Sequence, residues 1–308
     1  MRIVIIGGGS VGLLLAARLK LGGAWVHVVT RSAEQADRLQ KEGLLLHRLD
    51  GSSMPVPMEA SPASSPLPEA DLYLLAVKQT DLADLLPALS RIAGSARVLA
   101  LQNGMGHGER LAEVIAPDQL YLGVNTEGAR RLSPVAVEHT GTGVLRIGPW
   151  RSRKEKDDLV ERFVELLRRS GIAAEYWEEI GVVLWRKLLI NALINPLTAL
   201  FEVPNGFLLQ VPDILQMMRQ LFDEASAVAN RAGQKIPEES WQEILTICRN
   251  TSRNTSSMLQ DLRSGKQTEI EAINGYIVNT GKKYGISTPK HETLRQLIRL
   301  KEQMRPKG

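Results

Sequence analysis

Cysteine is almost missing from this chain: Cys248 is the single one in 308 residues. One thiol can form neither an internal disulfide nor a thiolate metal cluster, which fits a reducing compartment and leaves Cys248 a packing role and the chain no metal site. Long apolar runs are absent as well; no stretch reaches the roughly 18 consecutive apolar residues of a membrane span. The chain passes from Met1-Arg2 straight into Ile3-Val4-Ile5-Ile6, so there is no room for the basic, apolar and small-residue regions of a signal peptide. A soluble, cytoplasmic protein is the expectation. A one-sided charge is also lacking. The net charge is +4, and the basic residues are scattered, which argues against a nucleic-acid surface and suits a small anionic ligand better. The one dense run, residues 151–156, contains Glu155 and meets two aspartates, so it reads as a solvated linker or a helix start. There is no internal repeat and no low-complexity tract.

The first half alternates short apolar runs with helical patterns, as a parallel sheet with crossover helices requires. Residues 2–6, 25–29, 72–77 and 98–101 read as strands, and residues 11–21 and 82–89 as helices. The Pro/Ser-rich residues 55–68 read as a surface excursion between strands. From about Gly181 the strand signals stop and helical periodicity continues to the end. The expected architecture is therefore an α/β Rossmann-type dinucleotide-binding domain over residues 1–178, followed by an all-α domain over residues 179–308.

Gly7-Gly8-Gly9-Ser10-Val11-Gly12 fits G-x-G-x-x-G, and its position between an apolar strand and a helix makes the match specific. Gly7 makes the tight turn, Gly9 admits a pyrophosphate to the backbone, Gly12 allows close helix–strand packing, and the helix N-terminus supplies amides for the anion. The second strand ends Val28-Val29-Thr30-Arg31-Ser32, with no carboxylate where NAD-selective folds hold the ribose diol. Arg31 can instead pair with a 2′-phosphate, with Thr30 and Ser32 adding hydroxyls, so NADPH is the expected cofactor. Lys78 lies at the carboxyl end of the strand over residues 72–77. Asn103 follows the next strand at the same sheet edge, where ligands bind in open α/β sheets.

In the second half, Lys187, Asn191 and Asn195 recur every four residues and form one polar stripe on an otherwise apolar helix. Burying an ammonium and two amides is costly unless something polar meets them, so the stripe is expected to face substrate. Thr268-Glu269-Ile270-Glu271 reads as a capping box, with Thr268 at the N-cap and Glu271 closing it. Glu269 then stands in the first helical turn, available to a substrate hydroxyl or to Lys187. Ser256 and Ser257 read either as caps of the next helix or as ligand contacts.

Taken together, Gly7 to Gly12, Val77-Lys78, Asn103-Gly104-Met105-Gly106, Leu184-Trp185-Arg186-Lys187-Leu188, Asn191, Asn195-Pro196-Leu197-Thr198-Ala199, Pro204-Asn205-Gly206, Ser256 to Asp261 and Thr268-Glu269-Ile270 resemble the ketopantoate reductase family over nearly the whole chain. The resemblance implies NADPH-dependent reduction of 2-dehydropantoate to pantoate in pantothenate and coenzyme A biosynthesis. A related reductase of another small 2-keto acid is the alternative, and a sensor that has lost catalysis is the rival from another class. By the same matching, Lys187 would be the proton donor and Glu269 its acidic companion near substrate and cofactor ribose. Asn103, Asn191, Asn195, Asn205 and Ser257 would contact substrate or cofactor, while Arg31, Lys78 and Ala129 would line the cofactor site. Glu127-Gly128 before Ala129 is a departure from some relatives. The implied partner is a small-molecule 2-keto acid, with no nucleic acid and no membrane; a homodimer is left open.

Overall fold

The structure, a computed structural model, describes residues 1–92, 94–153 and 155–304. The chain folds as two compact units: residues 1–102 with 107–180, and residues 103–106 with those from Gly181 onward. A single cut after residue 178 therefore leaves out one exchange, because Asn103–Gly106 joins the helical unit. The reason is local. Met105 N donates to Ala272 O at 2.9 Å, and Gly104, at φ +76°, lies so close to Ala272 that a Cβ would stand 2.3 Å from its carbonyl oxygen.

In the first unit the chain runs β1 (Arg2–Ile6), α1 (Ser10–Leu21), β2 (Trp25–Thr30), α2 (Ala33–Glu42), β3 (Leu44–His47), β4 (Ser53–Val56) and β5 (Glu59–Pro62). It continues through β6 (Leu72–Leu75), α3 (Leu82–Leu89), β7 (Arg97–Ala100), α4 (His107–Leu111), β8 (Leu120–Asn125), β9 (Gly128–Ser133), β10 (Ala136–Gly141), β11 (Leu145–Pro149), α5 (Asp158–Arg169) and β12 (Ala174–Tyr176). Eight strands form one sheet in the order β12-β11-β8-β7-β6-β1-β2-β5. It is parallel except where β11 runs against β8. Central β1 buries Ile3 through Ile6 completely, as a parallel strand covered on both faces must, which is why it reads as an unbroken apolar run.

A second sheet, β4-β3-β10-β9, was not foreseen. It packs on the outer side of α1, so that helix buries Gly12 through Ala17 and Leu19 instead of a single stripe. Residues 55–68 are also more ordered than a surface excursion. β5 pairs in parallel with β2, Val28 opposite Ala60, and β4 pairs with β3, Leu45 opposite Pro55. Both are edge strands, where a proline costs no ladder hydrogen bond, and so the proline signal misled. In the basic run over residues 151–156, Lys154 lies outside the described residues. The run leads into α5, whose N-cap Asp157 accepts from Leu159 N at 3.0 Å and binds Arg97 and Arg153.

The second unit is helical: α6 (Ile180–Phe201), α7 (Pro212–Arg231), α8 (Glu239–Asn250), α9 (Ser257–Arg263), a π-turn over Glu271–Gly275, α10 (Tyr276–Tyr284) and α11 (Pro289–Gln303). Its core joins Leu188, Leu189, Leu193 and Leu197 of α6 to Leu221 and Phe222 of α7 and to Ile270, Ile273 and Ile277. Among the described residues α6 alone is long and apolar enough to cross a membrane, but most of it is buried within the protein. It ends at Phe201, with Glu202 just beyond it at φ +59°, and Lys301 Nζ binds the carbonyl oxygens of Ala199 and Leu200 at 3.0 and 3.1 Å, satisfying groups that a helix end leaves unpaired. Cys248 is fully buried, and loss of hydration pushes its thiol up to about 11, in keeping with a packing role.

Candidate active site

The glycine turn is built as its sequence demands at two of three positions. Gly7 has φ +127° and approaches Ala76 so closely that a Cβ would lie 2.7 Å from that carbonyl; at Gly12 a Cβ would lie 2.0 Å from Gly7 O. Gly9 is different. Its Cβ would meet only Ala76 O, at 4.0 Å, so the protein's own packing does not require glycine there, whereas a bound anion approaching the α1 N-terminus would.

Two side chains hold this turn that sequence reasoning did not select. Gly8 O accepts from Gln35 Nε2 at 2.9 Å and from Arg131 Nη1 at 3.1 Å, and Ser10 Oγ accepts from Arg131 N at 3.0 Å. A planar trans peptide points its N–H opposite its C=O, so pinning Gly8 O also sets the direction of the Gly9 amide. Arg131 arrives on β9, the strand whose existence the sequence did not signal. Ala129 is half-buried on the same strand, opposite His139. Glu127, the departure noted above, is consumed structurally: its carboxylate lies 2.6 Å from His139 Nε2, both side chains being 4% exposed, and Arg18 Nη2 is 3.0 Å from His139 Nδ1. This chain ties the β9–β10 hairpin to α1.

Arg31 stands at the end of β2 with its side chain 86% exposed, 3.8 Å from Asp81, and is free to turn toward a ligand. Thr30 is not a spare donor, whereas the exposed Ser32 keeps its hydroxyl proton for a ligand. Thr30 is fully buried and donates to Ser32 O at 2.8 Å, and Ser32 Oγ caps α2 by accepting from Gln35 N at 3.2 Å. Lys78 is half-buried just past β6, where its carbonyl accepts from Asp81 N. Val11 lies in the first turn of α1.

In the helical unit, the polar stripe falls on α6: Lys187 and Asn191 are half-buried and Asn195 is buried. Loss of hydration brings the Lys187 ammonium down from 10.5 to about 8, the charge of Glu269 acting in the opposite direction. Glu269 Oε2 accepts from Asn103 Nδ2 at 3.0 Å, so Asn103, 166 residues earlier in sequence, shares a cluster with Glu269 and Lys187. The capping box is corrected in part. Thr268 Oγ1 accepts from Ile270 N at 3.3 Å, but Glu271 turns away to Arg295 at 2.9 Å. Its reciprocal role passes to Glu302, which accepts from Thr268 N at 2.7 Å. The segment then opens as a π-turn, Gly275 N bonding Ile270 O at 2.9 Å, not as a regular α-turn. Asn205 is buried, its Nδ2 donating to Thr251 Oγ1 at 3.0 Å while its Oδ1 has no protein partner. Of the two serines, Ser256 is the cap, accepting from Leu259 N at 3.3 Å and from Thr198 Oγ1 at 2.7 Å; Ser257 is exposed in the first turn.

A Rossmann-type sheet with a glycine turn at the start of α1, followed by a helical unit carrying a desolvated lysine beside a carboxylate and an amide, defines the class of two-domain dehydrogenases and reductases. Residues 3–152 match the sequence model of the ketopantoate reductase PanE/ApbA family, and residues 179–302 match the model of its C-terminal domain. The chain belongs to the ketopantoate reductase family. It is 38% identical over 294 residues to a 2-dehydropantoate 2-reductase of Bacillus subtilis, covering 96% of this chain and 95% of the relative. It is 32% identical to one from Halobacterium salinarum, covering 97% and 98%. Among solved structures, a probable 2-dehydropantoate 2-reductase from Bacillus subtilis superposes with a TM-score of 0.85 at 35% identity, covering 98% of this chain and all of that one. A D-mandelate dehydrogenase in complex with NADH superposes with a TM-score of 0.89 at 25% identity, covering 98% and 99%.

Proposed function

We propose that this protein reduces 2-dehydropantoate to pantoate with NADPH, serving pantothenate and coenzyme A biosynthesis. The observation that carries the reading is the cluster of Lys187, Glu269 and Asn103 in a chain whose relatives at 30–38% identity are 2-dehydropantoate 2-reductases. Residues 1–102 with 107–180 would hold the cofactor, and residues 103–106 with those from Gly181 onward the substrate and the catalytic groups.

The open space at Gly9 and the exposed guanidinium of Arg31 fit a 2′-phosphorylated dinucleotide: the amides at the α1 N-terminus face its pyrophosphate, and Arg31 pairs with the 2′-phosphate. Lys78 and Ala129 complete the lining, and Glu269 adds an acceptor for the cofactor ribose. When bound, the nicotinamide supplies the hydride that reduces the keto carbon. Lys187 Nζ offsets the negative charge that develops on the keto oxygen and then gives that oxygen a proton. A pKa of about 8 suits this, since the ammonium predominates at neutral pH yet releases its proton readily. Glu269 Oε2, oriented by Asn103, accepts from a substrate hydroxyl, and Asn191, Asn195, Asn205 and Ser257 supply further polar contacts.

The deciding measurement is NADPH oxidation by purified protein with 2-dehydropantoate, repeated with NADH and with an aromatic 2-keto acid. A kcat/KM highest for 2-dehydropantoate and NADPH is expected. The likeness to an NADH-binding D-mandelate dehydrogenase supports a second reading, which a preference for the aromatic acid would establish; NADPH binding without turnover of any keto acid would leave a sensor.

A further inference from the structure

Pro196 sits inside α6, one residue beyond Asn195. A proline has no N–H, so the carbonyl four residues earlier loses its helical partner. That carbonyl belongs to Ala192, which follows Asn191 and is fully buried, where an unsatisfied acceptor would be expensive. It is not left unsatisfied: Asn274 Nδ2 donates to Ala192 O at 3.1 Å.

Asn274 lies in the π-turn five residues after Glu269 and is itself fully buried. Its second Nδ2 hydrogen goes to His291 Nδ1 at 3.0 Å, and His291 Nε2 donates to Leu221 O on α7 at 2.9 Å. Burial holds His291 neutral, at about 4, so one ring nitrogen accepts and the other donates, and this fixes the amide: reversing it would set Oδ1 against two acceptors. One side chain thus joins the proline-containing turn of α6 to the segment that carries Glu269.

We infer that Asn274 is a positioning residue for the reaction: by replacing the hydrogen bond that Pro196 removes, it locks the register between the Lys187–Asn191–Asn195 stripe and Glu269, with His291 orienting it. The inference rests on the catalytic reading of Lys187 and Glu269 above. A proline that merely bends a helix needs no such donor from the catalytic segment, and a buried asparagine that merely fills space needs no proline opposite it.

The pairing gives a rescue test. Asn274→Leu keeps the size but offers no donor; it should lower kcat by roughly ten- to a hundredfold and change the Kd for NADPH far less, by under about fivefold, because the pyrophosphate and 2′-phosphate contacts do not run through Glu269. Pro196→Ala restores an N–H at position 196, which can again bond Ala192 O. The double variant Asn274→Leu/Pro196→Ala should therefore recover kcat by at least about fivefold over Asn274→Leu, the coupling expected of directly interacting groups. Melting temperatures of all variants identify losses that come from unfolding alone. A double variant no more active than Asn274→Leu, or an Asn274→Leu protein that melts earlier but keeps its kcat below that temperature, overturns the inference. Lys187→Ala run in parallel keeps the two questions apart: if that variant retains full kcat, the catalytic reading itself falls.

Discussion

Lys187 holds a charge in surroundings that disfavour it, and both activity and stability should report this. Lys187→Ala should lower kcat by roughly 100- to 10,000-fold, the span of one positioned acid, with little change in NADPH Kd. Reduction by the wild-type protein should fall as pH rises through about 8, where the ammonium is lost, and a pH–kcat profile without that limb would move the acid role elsewhere. The stability effect has the opposite sign. A lysine whose folded pKa lies at about 8 instead of 10.5 destabilises the fold below pH 8, and the penalty is relieved as pH rises toward 10.5, where the unfolded chain binds the extra proton. Lys187→Met should therefore melt above wild type at pH 7, with the gap narrowing at pH 9 to 10. Glu269 is tested by its charge. Glu269→Gln keeps the size and an oxygen for Asn103 Nδ2, so it should retain more kcat/KM than Glu269→Ala, and equal, undiminished values for both would reduce Glu269 to a helix-start residue.

At the scale of elements, helix ends in the second unit are completed by groups from other elements. Ser256 caps α9 and receives the Thr198 hydroxyl from α6. Ser256→Ala should cost about 1 kcal/mol of unfolding free energy as a lost N-cap, measurable as a lower urea midpoint at unchanged m value; no shift would mean that the cap contributes nothing. The capping box shows how an element can be read half correctly. Thr268 takes the expected cap position, but Glu271 has two arginines of α11 within reach, and Glu302 from the same helix takes its place. A sequence motif sees only neighbours along the chain, while the arginines that outbid it lie 24 and 28 residues away.

On the scale of the whole molecule, each unit has its own core, and ligand linkage can address the first. NADPH at a hundredfold its Kd should stabilise the protein by about 2.7 kcal/mol, seen as a higher melting temperature, and NADH at the same concentration should do less. Arg31→Ala should remove that difference by weakening NADPH roughly ten- to a hundredfold while leaving NADH nearly untouched. Equal weakening of both cofactors would sink the 2′-phosphate assignment.

By itself the sequence determined whatever is written in a local period or a short motif. Glycine at positions 7, 9 and 12 after an apolar strand marks the turn, four-residue spacing aligns Lys187, Asn191 and Asn195, and the end of strand signals near Gly181 marks the change to helices. Tertiary structure alone decided what depends on distant partners. Gln35 and Arg131 meet at Gly8 only because a second sheet wraps α1, and β4 and β5 tolerate their prolines only because both are edges. Asn103 joins Glu269 across 166 residues, and Asn274 answers Pro196 from another element. The physical reason is common to all of these. A backbone period fixes which face a side chain occupies, but a buried donor or acceptor is satisfied by whatever the folded chain brings within about 3 Å, and nothing in the local sequence records that neighbour.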